Sequence, residues 1–128
     1  MTREEIIESY RKYIACLNRQ DWATLHYHVS DQVKYNGSTI GLDGYQNMLV
    51  EDFRAIPDLS FNIAMLVCDP PMIASRLAFN CTPVGELFDL KVNGKRVRFD
   101  ENVFYEFQDG KIQNVWSVID KSSVAAQI

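Results

Sequence analysis

Glu101 and Asp120 are the residues of this chain with the clearest capacity to move a proton. They lie in the stretch Gly94–Asp120, where two runs rich in β-branched and aromatic residues flank Asp109-Gly110. That pair tolerates the positive φ angles of a tight turn, so the spacing predicts a hairpin of two long antiparallel strands. If Asp109 and Gly110 form the loop, Gln108 pairs with Lys111. An uninterrupted register then sets Tyr105 opposite Asn114, Val103 opposite Trp116, Glu101 opposite Val118 and Phe99 opposite Asp120. One face would carry Val97, Phe99, Glu101, Val103, Tyr105 and Phe107 together with Ile112, Asn114, Trp116, Val118 and Asp120. Glu101 and Asp120 become diagonal neighbours, roughly 7–8 Å apart at the backbone. Two readings follow. Either the strand frays and Asp120 reaches water, or the two acids form a pocket pair whose pKa values rise through desolvation and like charge.

Other side chains could join them. Arg76 sits between Ala74 and Ala78, where a long cation can fold over small neighbours and pair with Asp120 or Glu101, lowering their pKa values. Tyr13 is either a core tyrosine or a donor to a developing oxyanion. Asn36, before Gly37, serves a turn or a substrate hydrogen bond. Trp22, Phe99 and Trp116 supply core or pocket wall. His26 and His28 sit at a helix edge or in the pocket. With only two histidines, no Cys-x-x-Cys and no His-Glu-x-x-His, no metal site is expected. A phosphate-cradling glycine loop and a Gly-x-Ser-x-Gly elbow are also missing, so no nucleotide cofactor and no acyl-serine chemistry are expected.

The elements that must position these residues follow from periodicity. Thr2 and Glu5 form a capping box ahead of Ile6, Tyr10, Tyr13, Ile14 and Leu17 at helical spacing, which predicts a helix over 3–18. Asp21 can cap a shorter helix striped by Trp22, Leu25 and Val29. Val33 and Tyr35 suggest a brief strand. Asp43 and Gln46 suggest a third helix with Tyr45, Met48, Leu49, Phe53 and Ile56 on its apolar face, ended by Pro57-Asp58. Alternation then predicts strands from Leu59 to Cys68, from Met72 to Thr82 and from Leu87 to Val92 before the hairpin. Helices first and strands after read as α+β, with three N-terminal helices covering a curved antiparallel sheet whose apolar interior is a natural ligand pocket.

The chain has 128 residues, 47% hydrophobic and 23% charged, which fits one globular domain over 1–128. A net charge of −4 argues against nucleic acid or an anionic membrane as partner. No apolar run reaches membrane-spanning length and no signal-peptide pattern opens the chain. Cys16, Cys68 and Cys81 are odd in number and set among apolar residues, which suits free thiols in a reducing compartment. A cytosolic location is expected.

Several strings carry a family resemblance: Asn18-x-x-Asp21-Trp22, Asn36-Gly37, Pro57-Asp58-Leu59, Arg76, Gly94-Lys95-x-Val97, Asp109-Gly110-Lys111-Ile112 and Trp116-x-x-x-Asp120. In this order they resemble the SnoaL-like polyketide cyclases, the ester-cyclase branch of the NTF2-like superfamily, over nearly the whole chain. The resemblance implies a cone-shaped sheet and a homodimer formed through the outer sheet face. It also implies a cofactor-independent lyase or isomerase acting on a small apolar carbonyl or ester metabolite, with Asp120 as general acid/base. Where that family often has Gly-Thr-His, this chain has Cys81-Thr82-Pro83, so a non-catalytic small-molecule-binding module is the alternative. Two cousins offer other chemistries. Tyr13-Ile-Ala-Cys-Leu-Asn18 resembles the tyrosine string of ketosteroid isomerases. Arg76 and Asp120 resemble two members of the limonene-epoxide hydrolase triad, with Ala78 where its strand aspartate would be.

Overall fold

The computed structural model describes all residues, Met1–Ile128. Helix α1 (Arg3–Asn18) starts at the expected box: Thr2 Oγ1 accepts from the Glu5 N–H at 3.1 Å and Glu5 Oε1 accepts from the Thr2 N–H at 2.7 Å. Two orphan donors of the first turn are thereby satisfied. Its stripe of Ile6, Tyr10, Tyr13, Ile14 and Leu17 is buried. The second helix shrinks to a 3-10 turn, Trp22–Tyr27, because Val29 already opens strand β1 (Val29–Tyr35). Asp21 accepts from the Thr24 hydroxyl at 2.7 Å and leaves the backbone uncapped. After the Asn36-Gly37 turn come β2 (Ser38–Thr39) and α2 (Gly41–Ala55), which starts two residues before Asp43 with no side-chain cap and buries Tyr45, Leu49 and Phe53.

The strands β3 (Asn62–Asp69), β4 (Met72–Cys81), β7 (Val97–Gln108) and β8 (Lys111–Ile119) form the body of the sheet. Between β4 and β7 a two-residue ladder, β5 (Glu86–Leu87) with β6 (Leu90–Lys91), makes a separate flap. Helix α3 (Lys121–Gln127), unforeseen from periodicity, follows the hairpin. The main sheet runs β2-β1-β8-β7-β4-β3 and is antiparallel except where β1 lies parallel to β8. One core of 28 buried residues joins α1 and α2 to the inner face of this curved sheet.

Two β-bulges decide which side chains join that core. Gln108 pairs with Lys111 and Phe107 with Ile112, as the turn requires, but Glu106 then pairs with Asn114, so Gln113 is an extra residue. A single inserted residue exchanges the faces of everything beyond it. Val115, Ser117 and Ile119 consequently face inward, opposite Tyr105, Val103 and Glu101. Asn114, Trp116 and Val118 face outward, correcting the uninterrupted register. Ala64 is skipped in the same way in the β3–β4 pairing, which turns Met65 and Val67 outward opposite Arg76 and Ala74.

Candidate functional site

The core leaves one apolar cavity of about 120 Å³ between helices and sheet. Tyr13 and Leu17 of α1 meet Tyr45, Met48, Leu49 and Asp52 of α2 across from Phe99, Glu101, Val103 and Tyr105 of β7. Leu87 and Phe88 of the flap close another side. Of nineteen lining residues seventeen are hydrophobic, so the other two, Asp52 and Glu101, hold the only carboxyl groups.

Glu101 is presented by the inward side of β7, and the Ser117 hydroxyl on the neighbouring strand donates to its Oε2. Burial pushes this carboxyl above the usual range, and the serine bond, which favours the charged form, opposes that push. Asp52, on α2, is pushed up to about 7, first by burial of its carboxyl and then by the charges of Glu101 and Glu51. As a whole residue Asp52 is exposed at the rim. Water there screens part of the effect, so the direction rather than the size bears on chemistry. The Glu101 charge opposes ionisation of Asp52, which favours a proton on the Asp52 carboxyl.

The Tyr13 and Tyr45 hydroxyls lie 2.6 Å apart and both rings are buried. Burial raises both phenols above their ordinary values, so both stay protonated at neutral pH. Two hydrogens serve this pair and one lies between the oxygens, which leaves one O–H for a ligand. The rings of Tyr10 and of the lining Tyr105 pack against Tyr13, centroids 6.0 and 5.9 Å away, and against each other at 4.9 Å.

Of the residues singled out from sequence, Tyr13, Phe99 and Glu101 line the cavity. The others do not. Asp120 is exposed and caps α3, accepting at Oδ1 from the Ser123 N–H at 3.1 Å and the Ser122 hydroxyl at 2.9 Å. The bulge at Gln113 carries it off the inner face. Arg76 projects from the outer face and donates to Asn102 at 2.9 Å, away from both acids. Trp116 is outward and 40% exposed. Trp22 packs edge-on against Phe53 at 6.0 Å, outside the lining. Asn36 adopts φ 49° in its turn and accepts from the Ser117 N–H at 2.8 Å, which fastens β1 to β8. His26 is exposed, its ring tilted against Tyr27 with centroids 4.2 Å apart.

Sequence reasoning missed Asp52, Tyr45 as a hydrogen-bonding group, and Ser117. Asp52 follows Tyr45 by seven residues, which places both on one helical face, so the signal was present. Ser117 was hidden by the bulge. No group of His, Cys, Asp or Glu is arranged to hold a metal ion.

A curved sheet with helices over an apolar, acid-bearing cavity defines a cone-shaped α+β protein of the kind that encloses small molecules. The sequence profile of the SnoaL-like polyketide cyclases matches residues 7–128, and the chain belongs to that family. A SnoaL-like polyketide cyclase from Agrobacterium tumefaciens strain C58 is 46% identical, with a TM-score of 0.94 over 99% of this chain and 98% of that one. TsrD from Streptomyces laurentii shares the fold at 18% identity and TM-score 0.87, covering 99% of this chain and 96% of its own. AclR from Streptomyces galilaeus does so at 20% and 0.81, covering 98% and 96%. No curated protein matches.

Proposed function

We propose that this chain is a cofactor-independent lyase or isomerase that moves a proton on a small, largely apolar carbonyl or ester metabolite. The observation that carries this reading is Glu101: a buried carboxyl, held by Ser117, on the wall of a cavity that is otherwise apolar apart from Asp52. In its ionised form Glu101 takes a proton from the carbon beside the carbonyl. The electrons move to the carbonyl oxygen, where the free O–H of the Tyr13–Tyr45 pair stabilises the developing charge. Return of the proton to another carbon isomerises the substrate. Attack of the enolate carbon on a second carbonyl within the same molecule closes a ring, and the new alkoxide takes the proton. Asp120 stays outside this chemistry because its carboxylate is at the surface. Arg76, on the outer face, likewise does not reach the cavity, which leaves the epoxide-hydrolase set without its arginine there.

Native mass spectrometry of freshly purified protein would identify a co-purified molecule to serve as substrate. Turnover by Glu101→Gln then tests the role: a loss of about 100- to 10,000-fold is expected for a general acid/base, and unchanged turnover sinks it. A binding module without turnover is the second reading, favoured by Cys81-Thr82-Pro83 in place of the family's histidine string. Release of a chemically altered ligand by the wild-type protein would exclude it.

Self-association as a homodimer through the outer sheet face is part of this proposal. Val67, Phe104 and Trp116 lie along one row of neighbouring strands and Met65 and Val118 along the next, all at least 40% exposed. Large apolar side chains contiguous on one face mark an interaction surface. Sedimentation should show a species of twice 14.7 kDa that Phe104→Glu converts to the single chain. A wild-type chain sedimenting alone refutes it. No helix is long and apolar enough to cross a membrane, and all three cysteines are free, which supports the proposed cytosolic location.

A further inference from the structure

Strand β1 accompanies β8 for only a short way. Their parallel pairing ends at Tyr35 and Val115, where the chain leaves through the Asn36-Gly37 turn. Past that point the Ser117 N–H would lack a ladder partner, and Asn36 supplies one from its side chain. The Asn36 N–H donates to the Val115 carbonyl at 2.8 Å, and Asn36 Oδ1 accepts from the Ser117 N–H at 2.8 Å. Two demands meet at this position. The backbone takes a left-handed φ of 49°, which asparagine and aspartate tolerate better than other residues with a Cβ. The bond needs an acceptor on Cγ, which glycine lacks.

Ser117 stands opposite Val103, next along the inner face from the Glu101–Ile119 pair, and its hydroxyl is the one group that donates a hydrogen bond to the Glu101 carboxyl. The titratable groups around Glu101 are phenols and an acid: Tyr10 and Tyr13 from α1, Tyr45 and Asp52 from α2, Tyr35 from β1 and Tyr105 from its own strand. None is a cation, so the hold on the carboxylate depends on where β8 places Ser117. We propose that Asn36 is a positioning residue for Glu101: its carboxamide carries the β1–β8 ladder one bond past the end of β1 and so holds Ser117 where its hydroxyl reaches the Glu101 carboxyl. The inference takes Glu101 as the acid/base of the proposed reaction, but its test needs no substrate, so the two fail separately.

The readout is a chemical-shift titration of the Glu101 side-chain carboxyl in the isotope-labelled full chain. The serine bond favours the charged form, so its loss moves the titration to higher pH. Ser117→Ala removes the donor outright and should lower the Glu101 ionisation constant about three- to tenfold, the worth of one hydrogen bond. Asn36→Gly keeps the left-handed backbone but removes the acceptor, and should lower the constant about threefold. On the Ser117→Ala background the same glycine change should add nothing, because both act through one hydroxyl. Asn36→Asp, which meets both demands, should restore the wild-type titration and the wild-type hydrogen exchange of the Ser117 amide. A wild-type titration in Asn36→Gly, an equal shift with and without the Ser117 hydroxyl, or an Asn36→Asp protein that behaves as Asn36→Gly overturns the positioning role. If the cycle comes out as expected while Glu101→Gln turns over substrate normally, Glu101 loses its acid/base role and Asn36 keeps its hold on the carboxyl.

Discussion

The two ends of one hairpin carry two carboxylates with opposite fates. Glu101 is turned into the core, meets Ser117 and the apolar wall, and is held with a raised pKa. Asp120 follows the partner strand, is solvated, and spends its oxygens on α3. Both are carboxylates on strands rich in aromatic and β-branched residues, so composition does not separate them. What separates them is Gln113. The extra residue reverses the inward and outward assignment of the rest of β8, so the inward carboxyl belongs to the strand whose alternation runs unbroken.

The largest effect expected from breaking this comparison is on turnover. Glu101→Gln should lower it by about 100- to 10,000-fold, whereas Asp120→Asn should stay within about twofold, because asparagine caps a helix as well as aspartate. Equal losses from both would return Asp120 to the reaction. Next in size is stability within β8 itself. Ile112, fully buried before the bulge, should cost about 2–5 kcal/mol as Ile112→Ala. Val118, 70% exposed beyond it, should cost within about 0.5 kcal/mol as Val118→Ala in the single chain. Denaturant unfolding measures both, and a costly Val118→Ala in dilute monomer would contradict the outward assignment.

These faces show how far the residues speak for themselves. The capping box at Thr2, the stripe through Tyr13, the Asp109-Gly110 turn and the Gln108–Lys111 pair were legible because each rests on local chemistry. The α+β architecture followed from the order of those elements. A bulge has no comparable local signature. Nothing about Gln113 or Ala64 marks it as unpaired, since the insertion serves the curvature of the whole sheet rather than a local preference. Hence Phe99, Glu101 and Tyr13, all lying before the break or on a helix, face inward as their periodicity requires. Trp116, beyond it, faces outward against the uninterrupted register, and Asp120 reaches water, the first of its two readings. Asp52 was passed over for another reason: an acid on the stripe of an amphipathic helix reads as its solvent edge unless a cavity lies beneath.

A smaller effect is expected from pH. Glu101 and Asp52 both have folded pKa values above their ordinary 4.5 and 3.8, with Asp52 near 7. The folded state therefore binds their protons more tightly than the unfolded chain does. Their contribution to stability is complete below the unfolded values and is lost as pH rises through the folded ones. Against the Glu101→Gln variant, whose amide imitates the protonated acid, the wild-type melting temperature should match in acid and fall progressively behind as pH rises past 4.5. A Glu101→Gln curve parallel to wild type across this range would mean that burial does not raise the Glu101 carboxyl above its ordinary value.

The smallest effect sharpens the outer end of the comparison. Asp120→Ala removes the cap of α3 and should cost about 1 kcal/mol, the usual loss when an N-cap acceptor is deleted. The consequence should not stop at the helix. Val124 of α3 is fully buried, and Gln127 accepts from the Arg98 N–H at 2.7 Å, so α3 is fastened to the strand that presents Phe99 and Glu101. Lys121, the first residue of α3, lies over Phe88 of the cavity wall. Loosening α3 should therefore speed hydrogen exchange at its own amides and around Phe88, while Asp120→Asn, which keeps an acceptor at the cap, should leave exchange unchanged. If alanine and asparagine behave alike, the cap does not hold the helix, and the exposed carboxylate must owe its place to something other than α3.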